Sequence, residues 1–191
     1  MIDTLESFDQ QLLLAINGAN SEIFDSVFYA LTQTVASVPV FVLAVVLLYR
    51  KYGWKNALCC IAVIGCAIGL SDLISTECFK KVICRYRPTH NLEIGGFVHV
   101  VNGYTGGMYG FVSSHAANMF AFAVGVSLYL RQKPWTFFFI VWSMLICYTR
   151  MYLGVHYPAD IACGAILGSV VSVMLYLISS RLKNRFSGQR I

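Results

Sequence analysis

Charge is what this sequence has least of. Only 12% of its 191 residues are Asp, Glu, Lys or Arg, about half the share of a soluble domain. Hydrophobic residues make up 58% and the mean hydropathy is +0.67. That balance excludes an ordinary soluble domain and a disordered chain. Acids are scarcest: nine Asp and Glu face 14 Lys and Arg, and only Glu93 and Asp160 follow Glu77. Seven cysteines do not make a disulfide framework. Cys59, Cys60, Cys66, Cys147 and Cys163 fall inside apolar runs, where a thiol packs as a small hydrophobe. Cys78 and Cys84 lie near one surface and are expected to stay unbridged. The net charge of +5 is too small and too scattered to argue for nucleic acid. There is no internal repeat and no low-complexity tract, and the length suits one domain.

What the chain does have is long runs without charge. A bilayer core about 30 Å thick needs about 20 apolar residues of helix. Residues 26–49 carry no charge, 57–76 carry only Asp72, and 114–130, 134–149 and 161–180 carry none. The expected fold is all-α, a multi-pass transmembrane helical bundle forming one domain over 1–191. Its five spans should lie near 26–49, 57–78, 114–130, 134–149 and 160–180. The third and fourth should form a hairpin through Arg131-Gln132-Lys133. Before them, within 1–22, Leu5, Phe8, Leu12 and Ala15 recur at helical spacing, with Asp3, Glu6, Asp9 and Gln10 between. This predicts an amphipathic helix lying at the membrane interface, capped by Asp3 with Glu6. It lacks the basic start of a signal peptide.

Lys and Arg set the orientation of such a bundle. Arg50, Lys51, Lys55, Arg131, Lys133, Arg181, Lys183, Arg185 and Arg190 all fall at one end of a five-span arrangement. That end, with the C-terminus, is predicted to be cytoplasmic. The acidic start is predicted to face the periplasm or exterior, which places the protein in the cell (inner) membrane. Lys80, Lys81, Arg85, Arg87 and Arg150 fall on the outer side, against the rule, and need another explanation. On that side the segment 89–112, with six glycines, is expected to be a flexible lid beside the mouth of the bundle. Asp72 is expected to face the bundle interior, and Gly164-x3-Gly168 to let helices of this chain pack closely.

Three clusters converge on the outer side. In Lys80-Lys81-Val82-Ile83-Cys84-Arg85-Tyr86-Arg87-Pro88, Lys80 and Arg87 are seven apart and are expected to share one helix face, two fixed cations suited to a phosphate. Lys81 pairs with Glu77 at i,i+4, which leaves Lys80 available. In Val112-Ser113-Ser114-His115, Ser113 or Ser114 is a natural N-cap, and the N–H groups of a helix start make an anion site beside His115. In Arg150-x5-His156-x3-Asp160, Pro158 suits the first helical position, so Asp160 falls in the first turn and reaches back to His156. A carboxylate on one imidazole nitrogen fixes the tautomer and leaves the other nitrogen as a nucleophile. Each cluster alone has a plainer explanation: snorkelling cations, a capped helix with an interfacial His, an ion pair bracing a helix end.

Absences narrow the chemistry. A two-metal phosphatase needs several carboxylate or His ligands, and there is no H-E-x-x-H, no P-loop and no Cys followed six positions later by Arg. Phosphate chemistry here would run on His and cations, with no metal and no cofactor. Taken together, Lys80-x6-Arg87-Pro88, Ser113-x-His115 and Arg150-x5-His156-x3-Asp160 resemble the three-part signature of the type 2 phosphatidic acid phosphatase family, which shares its core with the vanadium haloperoxidases. The resemblance covers residues 80 to 160 in the right order. Two of its motifs depart from the usual pattern, at Val112 and Ser114 and at Thr149. The family's second motif usually reads Pro-Ser-Gly-His, and the third usually starts Ser-Arg where this chain has Thr149-Arg150.

The resemblance implies a metal-independent lipid phosphatase. His156 would be the nucleophile forming a phosphohistidine, Asp160 would orient it, and His115 would be the general acid. Lys80, Arg87, Ser113, Ser114 and Arg150 would bind phosphate. The implied substrate is a membrane lipid phosphate presented at the bilayer surface: undecaprenyl diphosphate, phosphatidylglycerophosphate or lipid A. A lipid phosphotransferase of the same family and a non-enzymatic membrane protein are the alternatives.

Overall fold

The computed structural model describes residues 2–187 of the chain, and side chains over 4–185. The chain runs through α1 (Ile2–Gly18), α2 (Glu22–Leu31) and a long α3 (Thr34–Ile74), which continues as a π-helical stretch (Ser75–Lys80) and a last turn, α4 (Lys81–Ile83). After an extended loop come α5 (Ser114–Leu130), α6 (Lys133–Tyr152) and α7 (Pro158–Ser187). The stretches Thr34–Ile83 and Pro158–Arg185 are long and apolar enough to cross a membrane. The proposed Asp3 cap and the cation Arg190 lie outside the described side chains.

The first expected span is shorter than its charge-free run suggests. Ser21 caps α2 by accepting from the Phe24 N–H, and Thr32 ends it, so residues 26–31 belong to a separate short helix. Within α3 the chain breaks at Gly53, whose φ of 68° is a backbone region open to glycine at little cost. The break follows Arg50-Lys51, and the two halves pack together: Val40, Ala44 and Leu48 share one core with Ala57, Cys60 and Ile64, completed by Phe122, Leu130 and Phe139.

α5 is the centre of the bundle. It packs against α3, α6 and α7 and buries residues on every side, from Ala116 to Leu130. A helix apolar all round is a core helix. Against it, α7 comes so close that a Cβ on Gly164 would sit 2.5 Å from the Ser113 carbonyl oxygen, and one on Gly168 1.9 Å from that of Ala117. The Gly164-x3-Gly168 pair thus serves packing within the chain. Asp72 departs from expectation: it is exposed, and the Asn118 side-chain amide donates to it at 3.1 Å.

α1 is amphipathic in an unexpected sense. Leu5 and Phe8 are about two-thirds exposed, while Asp9, Leu13 and Asn17 are buried. The reason lies in what the polar residues hold. Asn17 donates to the Tyr152 and His99 carbonyls and accepts from the His99 N–H, joining α1, the loop and the end of α6. The loop expected to be a flexible lid is tied down. Ile94, Val98 and Val101 are buried, His99 meets Asp25 at 2.8 Å, and Thr89 donates to the Thr105 carbonyl at 2.9 Å. The cysteines are all unbridged.

Candidate active site

The end of the bundle expected to face outward collects all three sequence clusters. α4 ends at Ile83 because Cys84 turns left-handed (φ 51°). Lys80 and Arg87 therefore do not share a helix face. Arg87 arrives on an extended strip, 85–87, whose backbone pairs antiparallel with 108–110: the Arg87 N–H donates to the Met108 carbonyl and the Gly110 N–H to that of Arg85. This strip holds the returning loop over the cations. The Arg87 Nε donates to the Tyr109 carbonyl at 3.1 Å. The glycines of the loop now have a reason. A Cβ on Gly106 would lie 2.5 Å from the Arg87 guanidinium, and one on Gly110 2.8 Å from the Asp160 carboxylate.

His156 sits in the short connection between α6 and α7 and is 1% exposed. Pro158 opens α7 as expected, which puts Asp160 in its first turn. Asp160 Oδ2 lies 3.3 Å from His156 Nδ1 and accepts the Tyr157 N–H at 3.1 Å. Burial, then Arg87, Arg150 and Lys80, holds the His156 imidazole well below its ordinary pKa, so the ring is neutral near pH 7. The same three cations and His156 all act electrostatically on His115, which is exposed at the second position of α5. Lys80 reaches the Ser114 hydroxyl at 2.6 Å, and Ser75 meets the same oxygen at 2.7 Å. Arg150 is buried and donates to the hydroxyls of Thr32 and Tyr104, while its Nε has no hydrogen-bond partner.

Of the residues expected to bind phosphate, Ser113 also has a structural part. Its hydroxyl caps α5 by accepting from the Ala116 N–H, and its own N–H donates to the Asp160 carbonyl at 3.0 Å. Ser113 thus braces the turn and ties α7 to α5, while its hydroxyl proton stays available to donate. The N–H groups of Ser114 and His115, first and second in the helix, have no carbonyl one turn back and remain the donors of that helix start.

Two residues missed at the level of sequence complete the geometry. Arg85 Nη1 donates to Asp160 Oδ1 at 2.9 Å and its Nη2 to Asp9 Oδ2 at 2.8 Å, with its guanidinium over the Tyr157 ring. The other Asp9 oxygen accepts the Ala159 N–H at 2.9 Å, capping the first turn of α7 from α1. Burial opposes the charge of Arg85, and the two carboxylates more than offset it. The clue was available: Arg85 was one of five outer cations against the charge rule, Lys81 was spoken for by Glu77, and three others were assigned to phosphate. Lys81 does pair with Glu77, at 2.6 Å.

A neutral imidazole fixed by a carboxylate, a second histidine nearby and three cations around both form a constellation for phosphoryl transfer. The sequence pattern of the PAP2 superfamily matches residues 56–184. The chain belongs to the PAP2 superfamily. It is 36% identical to a lipid A 4'-phosphatase of Bacteroides thetaiotaomicron over 97% of its own length and 83% of that protein. It is 30% identical to a lipid A 4'-phosphatase of Porphyromonas gingivalis, over 94% of its length and 76% of that protein. Among solved structures, the transmembrane PAP2-type phosphatidylglycerolphosphate phosphatase of Bacillus subtilis shares its fold, with a TM-score of 0.68 at 19% identity, covering 94% of this chain and 88% of that one. This PAP2 chain is thus a membrane protein built on a shared bundle. Among its described residues no three His, Cys, Asp or Glu side chains cluster to hold a metal ion.

Proposed function

We propose that this PAP2 protein is a membrane lipid phosphatase that removes a phosphate group from a lipid of the lipid A class, through a phosphohistidine on His156. The observation that carries the reading is the neutral, buried His156 ring beside Asp160, with Lys80, Arg87 and Arg150 around it. His156 Nδ1 faces Asp160, which leaves Nε2 to attack phosphorus. As the P–N bond forms, the P–O bond to the lipid breaks and His115 gives its proton to the leaving sugar oxygen. Water then attacks the phosphohistidine, His115 takes its proton, and the P–N bond breaks to release inorganic phosphate. The three cations and the Ser114 and His115 N–H groups hold the equatorial oxygens, where charge is stabilised in phosphoryl transfer. None of these steps calls for a metal.

The substrate class rests on similarity over nearly the whole chain to two lipid A 4'-phosphatases, which favours lipid A over undecaprenyl diphosphate and phosphatidylglycerophosphate. A cavity of about 650 Å³ supports a lipid: Leu5, Phe8, Leu12, Ile83 and Phe111 line it, and Arg85 joins it to the Asp160 pair. In the bilayer, the two halves of α3 with α5, α6 and α7 make five passes, and α1 lies along the interface with its exposed Leu5 and Phe8 in lipid. The site faces the periplasm and the C-terminus the cytoplasm, because Arg50, Lys51, Lys55, Arg131, Lys133, Arg181, Lys183 and Arg185 gather at the other end.

The test is phosphate release by purified protein in EDTA, from lipid A set beside undecaprenyl diphosphate, phosphatidylglycerophosphate and phosphatidic acid. Lipid A should be the best substrate. His156→Ala should remove all measurable release, and His115→Ala should lower it about 10²–10⁴-fold, as loss of a general acid does. Wild-type release by His156→Ala would overturn the scheme. Phosphate passed to a second lipid, with little released, would identify a phosphotransferase.

A further inference from the structure

The end of the bundle far from His156 holds a second cavity that the reaction does not use. α5 separates the two ends: its 17 residues rise about 25 Å from Ser114 to Leu130. There, between the break in α3, the α5–α6 turn and the last turns of α7, lies a cavity of about 460 Å³. Arg131 and Lys183 supply its charge, Tyr176 and Ser180 its hydroxyls, and Cys60 and Leu182 apolar wall. We propose that this cavity binds the phosphate headgroup of an anionic phospholipid from the leaflet on that side, with the acyl chains running along the apolar wall.

The argument is one of charge and shape. No Asp or Glu occurs between Asp25 and Asp72, between Glu93 and Asp160, or after Asp160. The segments that meet at this end therefore carry cations and no Asp or Glu. Arg131 ends α5 in a left-handed conformation, and its Nη2 donates to the Tyr176 hydroxyl at 2.5 Å. A phenol is a weak partner for a guanidinium, whose planar fork matches phosphate oxygens. Lys51 is engaged elsewhere, on the Tyr129 and Leu130 carbonyls that end α5, so it steadies the rim without filling the cavity. Hydroxyls and cations next to an apolar wall form the two-part surface a phospholipid presents. Basic pockets between membrane helices hold lipid headgroups in this way.

The experiment uses the full chain in nanodiscs of equal phosphatidylglycerol and phosphatidylcholine, released and weighed by native mass spectrometry. Phosphatidylglycerol should be retained in preference. Each basic residue near such a headgroup is worth about 1 kcal/mol, so Arg131→Gln with Lys183→Gln should lower that preference about thirtyfold. Lys183→Gln alone, at an exposed helix end, should lower it about fivefold and covers the case in which the double variant does not fold. Arg50→Gln with Lys55→Gln removes the same charge from the same end outside the cavity and should leave the preference unchanged. Equal retention of the two lipids by the wild type, or equal loss in both double variants, would overturn the proposal.

Discussion

The two ends of this bundle treat charge in opposite ways. At the outer end, acids and bases are interleaved and withdrawn from water: Asp9, Arg85 and Asp160 form one chain of ion pairs, ending on His156, with Asp160 wholly buried. At the inner end, cations stand on exposed helix ends with no carboxylate on their segments. The difference is one of purpose. A surface cation needs only water or lipid headgroups, and its loss costs little. A buried charge must be met by a fixed partner, and removing one partner strands the other. The outer end therefore behaves as a single unit, while at the inner end Lys51 and Arg131 are held by backbone carbonyls and a phenol rather than by carboxylates.

The sharpest way to break the contrast is to remove the residue that joins the outer charges. Arg85→Gln leaves Asp9 and Asp160 buried without their shared cation, which should cost about 3 kcal/mol of stability, the low end for a broken buried pair. Thermal unfolding in detergent reads this cost. Phosphate release at saturating lipid should fall as well, because Asp160 loses one of its two anchors and with it the orientation of His156. Arg85→Lys keeps the charge but cannot bridge two carboxylates as a fork, and should lie between. If Arg85→Gln were as stable and active as the wild type, the outer network would be no more than a set of surface pairs.

How much of this was legible beforehand follows from the same contrast. Apolar helices show in sequence as stretches without charge, so α5, α6 and α7 begin and end within three residues of the expected runs, except for the long C-terminal extension of α7. The first span was misplaced by eight residues because α2 is also free of charge between Ser26 and Leu31; only its Ser21 cap marks it as separate. His156, Asp160, Lys80 and Arg87 were legible because motif spacing survives whatever the loop does. Asp9 was not. It lies 150 residues from the Ala159 N–H that it caps, and no local pattern distinguishes an acid that caps a distant helix from one that faces water. The loop misled for a related reason. Its glycines read as flexibility, whereas Gly106 and Gly110 are small so that backbone can press on Arg87 and Asp160.

A second, smaller prediction concerns pH. Burial and the three cations lower the His156 pKa, so the native state refuses a proton that the unfolded chain accepts below about pH 6.5. Its contribution is fully present above that value and declines as pH falls. Between pH 6.5 and pH 5 the native state should therefore lose stability from this group. Unfolding of wild type against His156→Gln across pH 5–8 isolates it: the gap between the two should narrow in acid. For activity the same shift keeps His156 unprotonated below pH 6.5, so phosphate release should fall off in acid only below the ordinary histidine value.

The smallest effect tests the other half of the comparison. Arg50 and Lys55 flank the Gly53 break, both exposed, and neither takes part in the outer network. Replacing both with Gln should change stability by no more than about 0.5 kcal/mol and leave phosphate release unchanged. Insertion is where they should matter, since Lys and Arg in short loops hold that side in the cytoplasm. Accessibility of Cys78, exposed at the outer end, to an impermeant thiol reagent in intact cells reads the outcome, against a Cys78→Ser control for the other thiols. Labelling should be full in the wild type and only slightly reduced in the double variant, because Arg131, Lys133 and the cations ending α7 still mark the same side. A large loss of stability on removing these two exposed charges would mean that the inner end, too, is a connected network, and the contrast between the ends would collapse.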